Sequence, residues 1–360
     1  MTFDGAGRNR DLSFDPNRAG DAEGGIFGLP FAPEEADVVL LPVPFDATTS
    51  YRPGAADGPQ AILRASRQVD LYDVETGNPW RAGIAMLAEA GEIRAWNREA
   101  RPAAETVMGS GADAPAALSL VNDICDRVNQ RVRAEVETWL TAGKIVGTVG
   151  GDHGCVYGAI SAHARRYPGI GILHVDAHAD LRRAYDGFEW SHASIMENVY
   201  RREKGVAKLV QVGVRDLCEE ERDRIDGSAG CIVTHYDAEL AGERFEGSSW
   251  AAQVARIIDP LPEQVYVSFD IDGLDAQLCP STGTPVPGGL SFQQASYLLG
   301  AVTRSGRRIV GFDLVEVAPG ADGGEWDGNV GARVLYKIIG WTLQSRGAAG
   351  RKRDSSTATE

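Results

Sequence analysis

Thiol chemistry is scarce in this 360-residue chain. It has five cysteines, an odd number, and no two of them (Cys125, Cys155, Cys218, Cys231 and Cys279) are spaced as C-x-x-C. That excludes a disulfide framework and a thiolate zinc site, and it fits a reducing compartment. Long apolar runs are missing as well: none approaches the roughly 20 residues needed to span a bilayer. The Arg-, Asp- and Gly-rich N-terminus has no apolar segment of the secretory kind, so the expected location is the cytoplasm. Positive charge is in deficit, since 36 Lys and Arg against 51 Asp and Glu leave a formal charge of −15. Such a surface repels nucleic acid and anionic membranes. It fits a cationic substrate, although solvated surface acid is the plainer account.

What is present reads as ordinary globular protein, 43% hydrophobic and 24% charged. The length is large for one domain but within reach of a layered α/β fold. Residues 1–25 are polar and Gly-rich and are expected to form a flexible arm, 26–345 a single domain without internal repeats, and 346–360 a disordered tail. Short apolar runs at 37–42, 144–149, 170–175, 209–214, 231–234, 264–269 and 309–315 read as strands. Leu118, Val121, Ile124, Val128, Val132, Val136 and Leu140 recur at helical steps, and further helices are expected over 157–166, 250–258, 292–303 and 330–343. Strands alternating with helices predict a mostly parallel central sheet covered on both faces. Residues 85–112 show no clear period and are read as a lid or subunit contact.

Potential chemistry collects where these strands end. Asp176, His178 and Asp180 follow the 170–175 run at every second position, which puts three side chains on one face of an extended chain. Taken alone, they could be incidental acids on a solvated loop. His153 follows another strand in GGDHG, Asp270 and Asp272 end a third in SFDIDGLD, and Glu316 ends a fourth in DLVEVAP. In a parallel sheet those ends share one edge, where such folds place ligands. Two imidazoles and four carboxylates exceed one tetrahedral ion but suit two ions about 3.5 Å apart bridged by carboxylates. Carboxylate-rich ligation favours Mn(II), with Ni(II) and Fe(II) compatible. Thr48, Thr49, Ser50, Tyr51 and Arg52, in a Pro- and Gly-rich loop, are candidate pocket residues or plain turn chemistry. His174 is read as packing or as support behind the ligands, and His163 and His235 as structural.

GGDH, D-A-H-A-D and S-F-D-I-D-G-L-D, in this order, resemble the ureohydrolase family of arginases, agmatinases and related guanidino hydrolases. The likeness runs from about residue 37 to 343. It implies a three-layer α/β/α sandwich with a mostly parallel central sheet, usually in trimers or hexamers, and two divalent metal ions per subunit. His153, Asp176, Asp180 and Asp270 would hold one ion and Asp176, His178, Asp270 and Asp272 the other. The implied reaction is attack of a bridging hydroxide on the guanidino carbon, releasing urea and an amine. By the same resemblance Asp180 would orient the nucleophile and Glu316 would bind the guanidinium, whose planar N–H fork two carboxylate oxygens match. His192 would shuttle a proton to the departing amine, a role that suits an imidazole titrating near neutrality.

The substrate is less legible. The segment after the ligands, from Leu181-Arg182-Arg183 to Phe188, lacks the Asn and Ser groups that arginases use for the amino-acid head and is similar to agmatinase-like members. Gly154 stands where the family commonly has Ser. EWDGNVGAR, beyond Glu316, resembles the branch containing guanidine, dimethylguanidine and metformin hydrolases, a branch associated with Ni(II). The leading expectation is therefore a hydrolase of guanidine or an N-alkylated relative such as metformin, with Trp326, Thr48, Arg182 and Glu316 contacting the substrate. Agmatinase or guanidinobutyrase activity is the alternative. A third is a non-catalytic subunit of a hetero-oligomer paired with an active paralogue.

Overall fold

Among the described residues eight strands form one sheet: β1 (Val38–Val43), β2 (Ile84–Met86), β3 (Ile145–Gly150), β4 (Ile170–Val175), β5 (Val206–Val214), β6 (Ile232–Tyr236), β7 (Gln264–Asp270) and β8 (Arg308–Val315). The computed structural model describes residues 14–18, 20, 24–110, 114–321 and 323–356. Every neighbouring pair is parallel, in the order β2-β1-β3-β8-β7-β4-β5-β6. Parallel neighbours need crossover connections, and helices supply them. These are α1 (Gly58–Ser66), α2 (Gly91–Ser110), α3 (Pro115–Thr141), α4 (Tyr157–Arg166), α5 (Ile195–Arg202), α6 (Glu219–Asp226), α7 (Asp237–Phe245), α8 (Trp250–Ile258), α9 (Phe292–Arg304) and α10 (Trp326–Ser356).

Two apolar cores lie against the two faces of the sheet, which makes the architecture a three-layer α/β/α sandwich. Leu173 and Val175 of β4 and Val265, Val267 and Phe269 of β7 face α1, α8, α9 and α10 through Ile62, Val254, Leu298 and Ile338. The alternate residues Ile172 and Tyr266 face α2, α3, α4 and α5 through Val107, Val128, Ile160 and Ile195. Burial on both faces is why the central strands read as continuous apolar runs rather than as alternation.

Residues 85–110, in which the sequence shows no clear period, hold most of the edge strand β2, the turn after it and α2, whose buried face is Ile93, Ala100, Ala104 and Val107. The spacing is helical, but two of its four positions are alanine, which mutes the apolar period. This helix braces the loop after β1. Asn97 Oδ1 accepts from Asp46 N at 2.9 Å, Asn97 Nδ2 donates to Asp46 Oδ1 at 2.9 Å, and Arg101 Nη1 donates to Thr49 O at 2.6 Å. The last helix also runs longer than expected, from Trp326 to Ser356 instead of 330–343. Most of the expected arm (1–13, 19 and 21–23) and residues 357–360 of the expected tail lie outside the described residues. Among the described residues no helix is long and apolar enough to cross a membrane.

His163 is structural, as expected. It sits on α4 against Gly311 of β8, where a Cβ would lie 2.0 Å from its Nε2. Its Nδ1–H donates to Ala159 O at 2.8 Å, and Nε2 is buried without a partner. Burial pushes the imidazole down from 6.5 to about 4. The unfolded chain therefore binds a proton between those values that the native state refuses. Stability should be level above pH 6.5 and fall as pH drops toward 4, by about 3 kcal/mol in all from this group. His163→Leu should flatten that part of the stability curve in denaturant titrations at stepped pH, whereas an unchanged slope would contradict it.

Candidate metal centre

The four central strands β3, β8, β7 and β4 are adjacent and end on one edge, and each is followed by one of the polar motifs. His153 opens a short turn beyond β3, Glu316 follows β8, Asp270 ends β7 with Asp272 in the next turn, and Asp176 to Asp180 follow β4. The expectation of a convergent site at four strand ends is met. His153 Nδ1 lies 3.0 Å from Asp176 Oδ2, 3.2 Å from Asp180 Oδ2 and 3.3 Å from Asp270 Oδ2. On the other side of Asp176, His178 Nδ1 is 3.1 Å from Asp272 Oδ2 and 3.5 Å from Asp176 Oδ1. Asp176 is common to both groups, and all but His178 are buried.

These separations fit metal ligation. Ligand atoms about 2.1 Å from a common ion at octahedral angles lie about 3.0 Å from one another. Among the described residues, His153 Nδ1, surrounded by three carboxylate oxygens, makes no hydrogen bond, and neither does the buried Asp272 Oδ2. The tautomer agrees: Ser268 Oγ donates to Asp313 Oδ1 at 3.0 Å, so it receives the Nε2–H of His153 at 2.9 Å and leaves Nδ1 as a free lone pair. Electrostatics point the same way. Burial, then Asp272 and Asp176, raise Asp270 well above the usual carboxylate range, and burial with Asp176 pushes Asp180 up to about 7. Burial lowers His178, but Asp272 and Asp176 outweigh it and hold the imidazole up to about 12. A cluster that draws protons this strongly is matched to divalent cations, which would replace those protons. His153, Asp176, His178, Asp180, Asp270 and Asp272 are the residues that could hold them.

Asp180 and Glu316 both adopt left-handed backbone, φ 56° and 62°, an uncommon state for residues with side chains that concentrates at functional sites. The Glu316 peptide is tied down by its N–H to Gly151 O at 2.9 Å and by Thr282 Oγ1 donating to its carbonyl at 2.8 Å. Its Oε1 accepts from His153 N at 2.9 Å. Burial and the nearby Asp152 raise this carboxyl well above its usual value. A Cβ on Gly283 would lie 3.2 Å from Glu316 Oε2, so the glycine keeps the space beside that oxygen open.

A cleft of about 270 Å³ opens over His178 and Asp180, bordered by Ser50, Tyr185, His192 and Asp216. His192 Nε2 is 3.4 Å from Ser50 Oγ, and its ring meets Tyr185 edge-on at 5.9 Å. Burial, then the charges that His178 and His153 carry when no cation is bound, push this imidazole down to about 4. It is neutral here at pH 7, below the near-neutral titration expected of it. Gly154 has a packing reason: a Cβ there would sit 2.6 Å from Trp190 O and 3.1 Å from His192 N. The turn that carries His192 lies against a glycine, in the place where a serine would collide.

Of the expected substrate contacts only Arg182 borders the cleft: Glu316 is buried beside His153 and Gly283, and Trp326 and Thr48 lie elsewhere. Trp326 is 52% exposed at the start of α10, and its Nε1 donates to Gln277 O at 3.2 Å. Thr48 is fully buried and donates from Oγ1 to Asp152 Oδ2 at 3.0 Å. It buttresses the loop instead of lining the pocket. Arg182 does line the cleft, stacked 5.1 Å over Tyr185 with Nε 3.7 Å from Glu221 Oε2. Asp216 and Glu221 were missed by sequence reasoning. Asp216 falls in the loop two residues after β5 ends, the same placement that marks the other ligand-bearing loops.

An all-parallel α/β/α sandwich with imidazoles and carboxylates clustered at the ends of its central strands defines a class, enzymes with a buried centre suited to divalent cations. Residues 36–340 match the Arginase family model. The chain is 35% identical to the N(1)-aminopropylagmatine ureohydrolase of Thermus thermophilus, covering 88% of this chain and 94% of that protein. It is 32% identical to the agmatinase of Proteus mirabilis, covering 87% and 90%. A Burkholderia thailandensis crystal structure described as a hypothetical agmatinase superposes with TM-score 0.69 at 26% identity, covering 90% of this chain and 91% of that one. The chain belongs to the arginase family, as an agmatinase-like ureohydrolase that hydrolyses guanidino C–N bonds.

Proposed function

We propose that this chain hydrolyses an alkylguanidine with a cationic tail, of the agmatine type, to urea and an amine. The observation that carries the choice is the exposed Asp216 carboxylate at the cleft, where Glu221 is already balanced by Arg182 3.7 Å away. No hydrogen bond or ion pair to the Asp216 carboxylate is seen among the described residues, and this acid borders the same cleft as His178 and Asp180. A net acidic mouth suits a tail ammonium and disfavours the carboxylate of guanidinobutyrate or arginine. The agmatinase-type relatives support the same reading. Trp326, the residue that favoured guanidine or metformin, does not border the cleft.

In this reading His153, Asp176, Asp180 and Asp270 would hold one divalent cation and Asp176, His178, Asp270 and Asp272 the other, Mn(II) being favoured by so many carboxylates and Ni(II) remaining compatible. Such a pair, when bound, lowers the pKa of water and supplies a nucleophilic oxygen at neutral pH, which a resonance-stabilised guanidinium demands. The Asp180 carboxylate accepts a hydrogen bond from the attacking water and orients it. Glu316 receives the guanidinium N–H fork, which returns a positive charge to a carboxyl strained by burial. His192, neutral at rest, takes up at a ring nitrogen the proton that the attacking water gives up and yields it to the departing amine. Urea release should be measured on guanidine, dimethylguanidine, metformin, agmatine, N(1)-aminopropylagmatine, guanidinobutyrate and arginine. The expected result is the highest kcat/KM on an agmatine-type amine, and predominant turnover of guanidine or metformin would overturn it.

A further inference from the structure

One polar residue from each of the six neighbouring strands β3, β8, β7, β4, β5 and β6 forms a row across the sheet beneath the candidate metal centre. Thr148 pairs in register with Asp313, Asp313 with Ser268, Ser268 with His174, His174 with Gln211, and Gln211 with Thr234. All but Thr234 are fully buried. Polar groups in the middle of buried strands are costly unless satisfied, so their partners reveal what the row is for. One end supports His153 through Ser268 and Asp313, as described above. The other end runs to Asp176.

The proton positions along that second arm are fixed by chemistry. Gln211 Nε2 lies 2.7 Å from Ala179 O, a pure acceptor, so this atom is the amide nitrogen, and Gln211 Oε1 receives Thr234 Oγ1 at 2.8 Å. The same Nε2 is 3.0 Å from His174 Nδ1, which must therefore accept. The His174 proton then sits on Nε2 and points at Asp176 Oδ2, 2.8 Å away. With Nδ1 engaged and Nε2 protonated, His174 has no lone pair for a metal, although it stands among ligand residues.

We propose that Thr234, Gln211 and His174 form a positioning relay that holds Asp176 for the two cations. Gln211 selects the His174 tautomer, and His174 donates to the shared carboxylate. Asp176 is thereby held from both oxygens, since His178 N donates to its Oδ1 at 2.6 Å. Partners behind metal ligands commonly set affinity in this way. The relay rests on the ligand assignment under the proposed function.

The test is Mn(II) binding alone, followed by the electron paramagnetic resonance signal of free Mn(II), in parent, His174→Met, His174→Gln and Gln211→Met chains. A glutamine at 174 keeps an acceptor for Gln211 and a donor for Asp176, and methionine keeps neither. The Mn(II) dissociation constant of the weaker-bound ion should rise roughly 10–100-fold in His174→Met and also rise in Gln211→Met, while His174→Gln stays near the parent. If His174→Met does not fold, Gln211→Met carries the comparison. Parent-like Mn(II) affinity in Gln211→Met, or equal loss in His174→Gln and His174→Met, overturns the relay. A parent chain that binds no Mn(II) would instead overturn the ligand assignment.

Discussion

Asp176→Ala should strip the chain of its paired cations and of its activity together. This carboxylate, with Asp270 one of two assigned to both ligand groups, lies within 3.5 Å of His153 Nδ1 on one side and of His178 Nδ1 on the other. Removing it leaves neither group complete. Metal catalysis is worth several kcal/mol of barrier, so urea release should fall by roughly 10³-fold or more. Elemental analysis after gel filtration should find fewer than two ions per chain. Asp176→Asn separates charge from shape, since an amide oxygen can still accept from His178 N. It should also lose paired binding, because the neutral oxygen cannot balance two dications. Two retained ions and near-parent turnover in Asp176→Ala would contradict the bridging role.

Glu316→Gln should produce the opposite pattern, a metal-loaded but poorly active chain. The amide oxygen can still accept from His153 N, the one hydrogen bond seen to the Glu316 side chain among the described residues, so the ligands stay in place. What disappears is the negative charge opposite the guanidinium. Removing one partner of a buried hydrogen-bonded charge pair costs about 2–5 kcal/mol, hence roughly 30- to 5,000-fold in kcat/KM. Stability should move the other way. Because burial and Asp152 raise this carboxyl well above its usual value, its ionisation at neutral pH works against the fold. The neutral variant should melt at a higher temperature than the parent when both are metal-free. Loss of metal, or unchanged kcat/KM, would refute the substrate-binding role.

The ligand motifs could be read in the sequence because their physics is local. Asp176 and His178 follow a run that can only be a buried strand, and ends of parallel strands share an edge whatever the loops do. The same argument placed His153, Asp270 and Glu316 before any contact was known. Pocket walls are not local in that sense. Trp326 lies ten residues beyond Glu316, and nothing in that spacing shows that its indole turns out to Gln277 O. Thr48 has the composition of a pocket loop, but α2 pulls that loop tight through Asn97 and Arg101, and the hydroxyl turns inward to Asp152. Asp216 was hidden because one acid after a strand is common, and only the cleft shows it facing His178. Gln211 and Ser268 did carry a signal, as polar residues inside buried apolar runs, and it becomes readable once the strand register is known.

The central claim is that this chain alone is a metal-paired hydrolase of guanidino C–N bonds, and metal analysis combined with a urea assay tests it most directly. The purified chain should be stripped with chelator, reloaded with Mn(II) and, separately, with Ni(II), and assayed with agmatine after each step. The account predicts two ions per chain, urea release that vanishes on stripping, and recovery on reloading with at least one of the two metals. A chain that carries two ions and releases no urea from any of the guanidino compounds would contradict it, and would mark the protein as a subunit that needs an active partner.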